Sequence, residues 1–249
     1  MRAPAGERAI DGEVGLRDGG RRPSGWLRAS LTVVVKDLRA ELRTKEALNA
    51  SLAFSIVVLL LFSFAFEPSV EETRALGGGL LWLVFAFAGV LILNRSFARE
   101  LPNDCLDGLL ASPLSPAALY AGKAVANFLL LMAVELVGLA VFGVFYNAAW
   151  TGRFWPLMGV VAMGTWAMTA VGTLFSALTV NLRLRELMLP LLVYPLLVPA
   201  LLAAIQLTGP LALGQPFASD MIVWLRLLAA FDVIFTALAL ALIDAVLVG

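Results

Sequence analysis

From residue 46 onward the chain is built of long apolar runs separated by short polar stretches. Six of these runs, near Leu48–Phe66, Gly77–Leu93, Leu119–Phe145, Trp155–Val180, Leu187–Leu207 and Ile222–Val248, are long enough to cross a hydrocarbon core, which takes about 20 helical residues or somewhat fewer where the bilayer adapts. The third, fourth and sixth have length to spare for a tilt, a bend or an extension past the interface. Backbone amides in lipid must be satisfied within their own segment, and the runs lack the roughly ten-residue alternation of barrel strands. The pattern therefore predicts an all-α integral membrane bundle of six transmembrane helices.

A different period precedes them. Between Trp26 and Glu46, apolar Leu27, Leu31, Val34, Leu38 and Leu42 recur every three or four residues, while Lys36, Arg39, Arg43 and Lys45 fall on other faces. This spacing predicts an N-terminal amphipathic helix, suited by its cations and its tryptophan to lie in the membrane interface; packing against a neighbouring protein is the alternative. Residues 1–25 are rich in Gly, Pro, Arg and acids and lack the apolar core of a signal peptide. Glu7, Asp11, Glu13 and Asp18 argue against a transit peptide. The segment reads as a disordered cytoplasmic tail ahead of one membrane domain over residues 26–249.

Composition agrees with a membrane chain: of 249 residues, 61% are hydrophobic and 14% charged. Lys+Arg and Asp+Glu balance at 18 each, so net charge gives no reason to expect nucleic acid as a partner. The placement of the cations is more telling. The N-terminal region, the Asn94–Ala118 loop with Lys123, and the Asn181–Glu186 loop hold 15 of the 18 basic residues; Arg74, Arg153 and Arg226 hold the rest. The positive-inside rule then puts both termini in the cytoplasm. The outward loops agree: Glu67–Leu76 is acidic and Thr208–Met221 has no Lys or Arg.

The chain has no histidine and one cysteine, Cys105. A Ser-His-Asp triad, a Cys-His pair, a His-ligated metal and an internal disulfide are all excluded, and no catalytic or metal site is expected. Gly122-Lys123 lacks the upstream glycine of a phosphate loop and is followed by Ala124, so ATP must bind on another chain. Carboxylates inside the membrane are the remaining polar signal. Glu135 lies within the third span and Asp232 near the middle of the sixth, where an ionised carboxylate costs about 2.5–3.5 kcal/mol. Each is either part of a polar path or partner-sensing site, or a hydrogen-bonded carboxyl tying two helices together.

The first large loop between spans, from Asn94 to Pro116, has a middle that can form a short helix over Asn103–Ala111. Leu106, Leu109 and Leu110 are its apolar residues, Asp104 and Asp107 its polar ones, and Pro113 and Pro116 are expected to stop it. Such an element can dock a soluble partner or rest on the bilayer as a connector. In the second such loop, Arg183, Arg185 and Glu186 could meet lipid phosphate or a partner, or be plain solvated charges. Lys123 is expected to snorkel to the same surface. Pro190, Pro195 and Pro199 predict a bent fifth span, Gly77–Gly79 a flexible start to the second, and Trp82, Trp150, Trp155, Trp166 and Trp224 interfacial anchors.

The run NRSFARE and NDCLDGLLASPLSPAALYAGKAVAN, residues 94–100 and 103–127, resembles the loop and third helix of the haem exporter protein B permeases of cytochrome c maturation, within the wider ABC-2 permease class. The likeness continues through Val171–Ala177, Asn181–Glu186, Leu189-Pro190 with Pro195 and Pro199, and Phe231–Phe235, and covers the chain from about Leu31 onward. The chain departs from many members in having Asn103-Asp104 in place of Asp-Gly, and Asp107 where a glutamate is common. The resemblance implies a transporter subunit in a bacterial inner membrane that dimerises or pairs with related membrane subunits. It further implies a cytoplasmic ABC ATPase bound through a coupling loop containing Arg95, Phe97, Arg99, Glu100, Asn103, Asp104, Leu106, Asp107, Leu109 and Leu110. Haem would be the cargo of a complex that includes other haem-handling subunits and a haem chaperone, with no cofactor held by this chain alone. The residues themselves leave open an ABC-2 permease for a lipid, polysaccharide or drug, and a membrane scaffold that transports nothing.

Overall fold

The computed structural model describes residues 23–65, 70–101, 114–146, 148, 150–180, 182 and 184–248. Among them it contains seven α-helices and no strand: α1 (Pro23–Thr44), α2 (Glu46–Ala65), α3 (Val70–Ser96), α4 (Pro116–Phe145), α5 (Phe154–Thr179), α6 (Arg185–Ala212) and α7 (Met221–Val248). A one-turn 3₁₀ segment, Ala98–Glu100, follows α3, and another, Trp150–Arg153, precedes α5. Six helices, α2 to α7, are long and apolar enough to span a membrane, and their bounds lie close to the runs expected from hydropathy. The spans run alternately up and down. One end of the bundle, here the basic end, collects α1, residues 95–101, the start of α4, residues 184–186 and the end of α7.

Two spans form the centre. Of the most apolar 18-residue stretch of each helix, about two thirds is buried in α3 (67%) and α5 (72%), against 22% in α2 and 17% in α7, which lie at the periphery. Apolar contact alone discriminates weakly among helices in lipid, so small residues and interhelical hydrogen bonds fix the packing. Trp82 Nε1 on α3 donates to Thr208 Oγ1 on α6 at 3.0 Å, and Trp166 Nε1 on α5 donates to Thr236 Oγ1 on α7 at 2.9 Å. Ser176 Oγ on α5 donates to the Leu93 carbonyl on α3 at 2.9 Å, and Tyr120 on α4 to the Ala170 carbonyl on α5 at 2.9 Å. Two of the tryptophans expected at interfaces are thus interhelical ties; Trp82 is 1% exposed. The outward loop expected over Thr208–Met221 also shifts, because α6 extends to Ala212 and takes in Thr208 as a buried residue.

Glycines mark the closest approaches. The Gly77–Gly79 run is not a flexible start: it lies inside α3, and a Cβ on Gly78 would stand 2.9 Å from the Ile205 carbonyl oxygen and 3.0 Å from the Gly209 nitrogen of α6. Pro190, Pro195, Pro199 and Pro210 all sit inside α6, which remains one continuous helical element. Pro116 occupies the first turn of α4, where its missing N–H costs nothing, and Ser115 caps that helix by accepting from Ala118 N at 3.3 Å. Pro116 therefore starts a span. The proposed Asn103–Ala111 helix and Pro113 lie outside the described residues.

The first helix has three faces. Ser30, Val33, Val34 and Glu41 are buried against the bundle. Leu27, Leu31, Val35 and Leu42 form an exposed apolar strip, and Arg28, Arg39 and Arg43 are exposed on the third face. Three leucines of the expected apolar repeat, Leu27, Leu31 and Leu42, are thus free to meet lipid, in keeping with the interfacial helix read from the spacing. Its contact with α4 is close: a Cβ on Gly122 would lie 2.6 Å from Val33 Cβ and 2.7 Å from the Ser30 carbonyl oxygen, and Ser30 Oγ donates to the Ala118 carbonyl at 3.1 Å. Gly122→Ala is expected to push α1 from α4 and cost about 1–3 kcal/mol, as overpacking against backbone does. Gly79→Ala, which meets nothing within 4 Å, should be neutral or gain about 0.5–1 kcal/mol from helix propensity. Thermal unfolding midpoints of the two variants in detergent check the contrast.

Candidate functional site

The polar centre of the molecule is at the basic end, where α1, the end of α3, the Ala98–Glu100 turn and α4 meet. Lys123, in the second turn of α4, is 0% exposed. Its ammonium donates to Asp37 Oδ2 at 3.1 Å, Glu100 Oε1 at 3.0 Å and the Ser96 carbonyl at 2.8 Å, and stands 5.0 Å from the centroid of the buried Phe97 ring. An ammonium has three N–H donors, and all three are used. Lys36, next to Asp37 on α1 and half-exposed, also contacts Glu100 and lies 3.2 Å from Asp37 Oδ1. Two cations thus face two carboxylates, so the cluster is neutral as a unit. The expectation that Lys123 snorkels to the surface is overturned: small neighbours Gly122, Ala124 and Ala126 bring α4 so close to its partners that the side chain is sealed in.

A second ion pair adjoins the first. Glu41, fully buried on α1, pairs with Arg99 and accepts from the backbone N of Leu48 at 2.9 Å. Its carboxylate therefore satisfies an orphan amide in the first turn of α2 and complements that helix's dipole. The tight reversal between α1 and α2 runs through Lys45, whose φ of 55° is left-handed, a conformation that costs an L-residue roughly 1–2 kcal/mol. On the outside, Arg95 at the end of α3 pairs with Glu46 at the start of α2; both are well exposed, and such pairs contribute little. Below the cluster, Asn127 Nδ2 donates to Ser96 Oγ and to Thr173 Oγ1, each at 2.9 Å, which carries the polar contacts on to α5.

Burial alone would lower the Lys36 pKa, but the hydrogen bond to Glu100 and the charges of Asp37 and Glu100 outweigh it, and the value rises above 10.5. A raised lysine contributes its full stabilisation below its unfolded value and loses it only as pH climbs through the folded one. Lys36 therefore keeps its charge, and its share of the stabilisation, throughout the physiological range.

The residues singled out from sequence divide into three groups. Phe97, Arg99 and Glu100 belong to the cluster, and Arg95 stands beside it; Glu100 is only 8% exposed and faces inward, so it is an internal contact and not a free docking charge. Glu186 is exposed and lines, with Arg95, Arg99, Thr44 and Asn94, a cleft of about 540 Å³. Asn103, Asp104, Leu106, Asp107, Leu109, Leu110 and Arg183 lie outside the described residues, as does the side chain of Arg185. Lys36, Asp37, Glu41 and Lys123 were not among the candidates; Lys36 meets Glu100 64 residues away, and Asp37 meets Lys123 86 residues away in the chain.

The two intramembrane carboxyls are separate from this site. Glu135, 0% exposed on α4, is hydrogen-bonded through Oε2 to the Thr165 hydroxyl of α5, and its Oε1 has no partner. Asp232 lies on the inward stripe of α7 with Leu228, Ala239 and Ile243, and its Oδ1 is buried without a partner. Arg226 is exposed and forms no ion pair with it.

Removing only the ammonium is expected to be severe. Lys123→Met leaves the buried Glu100 and the partly buried Asp37 to one half-exposed lysine, at a cost of about 3–5 kcal/mol, whereas Arg95→Met on the outer pair should cost about 1 kcal/mol or less. Unfolding midpoints check both. Glu135→Gln keeps a hydrogen-bonding group opposite Thr165 and is expected to be nearly neutral, while Thr165→Val strands the carboxyl and should cost about 1–3 kcal/mol, measured in the same way.

A sequence profile described as CcmB protein matches residues 28–248. Heme exporter protein B of Rhodobacter capsulatus is 31% identical over 172 residues, 69% of this chain and 78% of the relative. Heme exporter protein B of Paracoccus denitrificans is 30% identical over 207 residues, 83% of this chain and 93% of the relative. The protein of the same name from Escherichia coli K12 is 24% identical over 168 residues, 68% of this chain and 76% of the relative. The matched region takes in all six spans, most of α1 and every residue of the ionic cluster, and this multi-pass membrane chain belongs to the CcmB family.

Proposed function

We propose that this chain is the permease subunit of an ABC transporter that exports or delivers haem for c-type cytochrome maturation. Both termini face the cytoplasm of a bacterial inner membrane, and a separate ATPase hydrolyses the nucleotide. The observation that carries this reading is family membership over nearly the whole chain, joined to relatives named heme exporter protein B. The concentration of cations at the basic end supports the orientation. The absence of a phosphate loop from the sequence supports an ATPase on another chain.

The ATPase docks on the Asn94–Leu114 loop, with Asn103, Asp104, Leu106, Asp107, Leu109 and Leu110 as its contacts, and on the mixed-charge cleft that Glu186, Arg95 and Arg99 line. Haem ligation falls to partner subunits. This chain has no histidine, and the hydroxyls of Tyr120 and Tyr146 already donate to the Ala170 and Leu59 carbonyls. The peripheral spans α2 and α7, which expose Val57, Leu61, Phe64, Val233 and Ile234, offer lateral surfaces to a second copy or to other membrane subunits.

Mass spectrometry of proteins recovered with the tagged chain from native membranes in mild detergent tests the assembly. An ABC ATPase together with histidine-bearing haem-handling subunits is the expected result; an ATPase without them would move the cargo to another class, and no ATPase would sink the transporter reading. Asp104→Lys should reduce ATPase recovery without loss of the chain itself. For orientation, single cysteines in a Cys105→Ser background give a direct readout with an impermeant maleimide on intact spheroplasts: Asp220→Cys is expected to label and Arg39→Cys to stay unlabelled until the membrane is opened.

A further inference from the structure

We propose that Lys123 is the positioning residue that makes α1, the Ala98–Glu100 turn and the start of α4 move as one body when the ATPase acts, so that motion at the 102–113 loop enters the membrane domain through this ammonium. The inference rests on the ATPase-coupled reading and deepens it.

The loop leaves α3 through the 3₁₀ turn and returns at Leu114–Ser115, the cap of α4. Any pull on it acts first on Glu100 and on Ser115. Glu100 is held by Lys123 and Lys36, and Ser115 begins the helix that carries Lys123. Both strands of the loop therefore converge within two helical turns on one nitrogen. The same nitrogen grips Asp37 of α1 and the last turn of α3 at the Ser96 carbonyl.

Several features make this junction stiff. Lys123 has no free donor and no exposed surface, so it cannot trade a protein partner for water. Glu41 adds a second clamp between α1 and Arg99 of the same turn, and also fixes the first turn of α2. Gly122 permits backbone-to-backbone contact between α4 and α1 directly beside the lysine. Opening such a buried, charge-matched junction exposes unpaired charge to a low dielectric, so displacement of the turn carries its neighbours with it. The outer Arg95–Glu46 pair, wet and exposed, supplies no comparable linkage.

The test uses the full complex with its ATPase and two spin labels, at Arg39→Cys on α1 and Leu187→Cys on α6, in the Cys105→Ser chain. Distances are measured by pulsed electron resonance without nucleotide and with the nucleotide trapped. The parent should show a nucleotide-dependent shift. Lys123→Met should recover the ATPase yet lose the shift, and Lys123→Arg should retain part of it. Should Lys123→Met fail to accumulate, the paired neutral replacement Lys123→Met with Glu100→Gln serves instead: accumulation restored with the shift still absent is expected. An undiminished shift in either variant overturns the proposal, as does a paired variant that regains both stability and shift, which would mark the lysine as a purely structural tie. Failure to recover any ATPase with the parent chain would instead overturn the transporter reading on which the proposal rests.

Discussion

The fold at the basic end is organised by the need to neutralise one ammonium that has been taken out of water. Burying a lysine without partners costs several kcal/mol, and the chain meets that cost by bringing two carboxylates and a carbonyl from three other elements onto Lys123. Each contributor constrains its own segment. Asp37 turns one face of α1 toward the ammonium, Glu100 ties the 3₁₀ turn to it, and Ser96, the last residue of α3, meets it through its carbonyl. The long separation between partners means that the cluster forms only once the spans are assembled, which makes it a sensor of correct helix packing as much as a contributor to it.

The first helix shows how three solvents can be read from one amphipathic segment. Its apolar strip of Leu27, Leu31, Val35 and Leu42 suits lipid, its arginines suit water and phosphate, and its remaining face holds the acids that meet the buried Lys123 and the half-buried Arg99. The leucine repeat pointed to the membrane interface, and Leu27, Leu31 and Leu42 are exposed. Lipid is as apolar as a protein core, so the residues that must turn inward are the polar ones. Glu41 makes the point: fully buried, it serves at once as the counter-ion of Arg99 and as the cap of α2.

The same distinction explains what the sequence made legible. Span positions follow from local hydropathy, since each helix must satisfy its own amides, and α2, α4 and α5 fall close to their expected bounds. Phe97, Arg99 and Glu100 were singled out through a family likeness. Their role as internal contacts was hidden because burial of a loop-edge charge depends on residues tens of positions away. Lys123 carried a weaker sign that could have been used: it sits among Gly122, Ala124 and Ala126, and a run of small residues on one helix announces close approach, which leaves a long side chain no path to water. Trp82 and Trp166 were misplaced for a related reason, their indole N–H groups finding threonines on α6 and α7 instead of headgroups.

Among the described residues, polar ties are distributed unevenly along the membrane axis. At the basic end they are ionic, dense and shared among α1, α3 and α4, while toward the other end they are single hydrogen bonds between pairs of helices, as in Trp82–Thr208 and Glu135–Thr165. Single interhelical bonds in lipid are worth roughly 0.6 to 2 kcal/mol each, little enough to be exchanged when helices shift, whereas a buried ionic junction resists opening. The ties that cost least to exchange thus lie away from the basic end. Glu135 and Asp232, each with a buried oxygen that has no partner, lie in that more adaptable region, and a rearrangement that supplied them with donors would be favoured by the same desolvation physics that holds Lys123 in place.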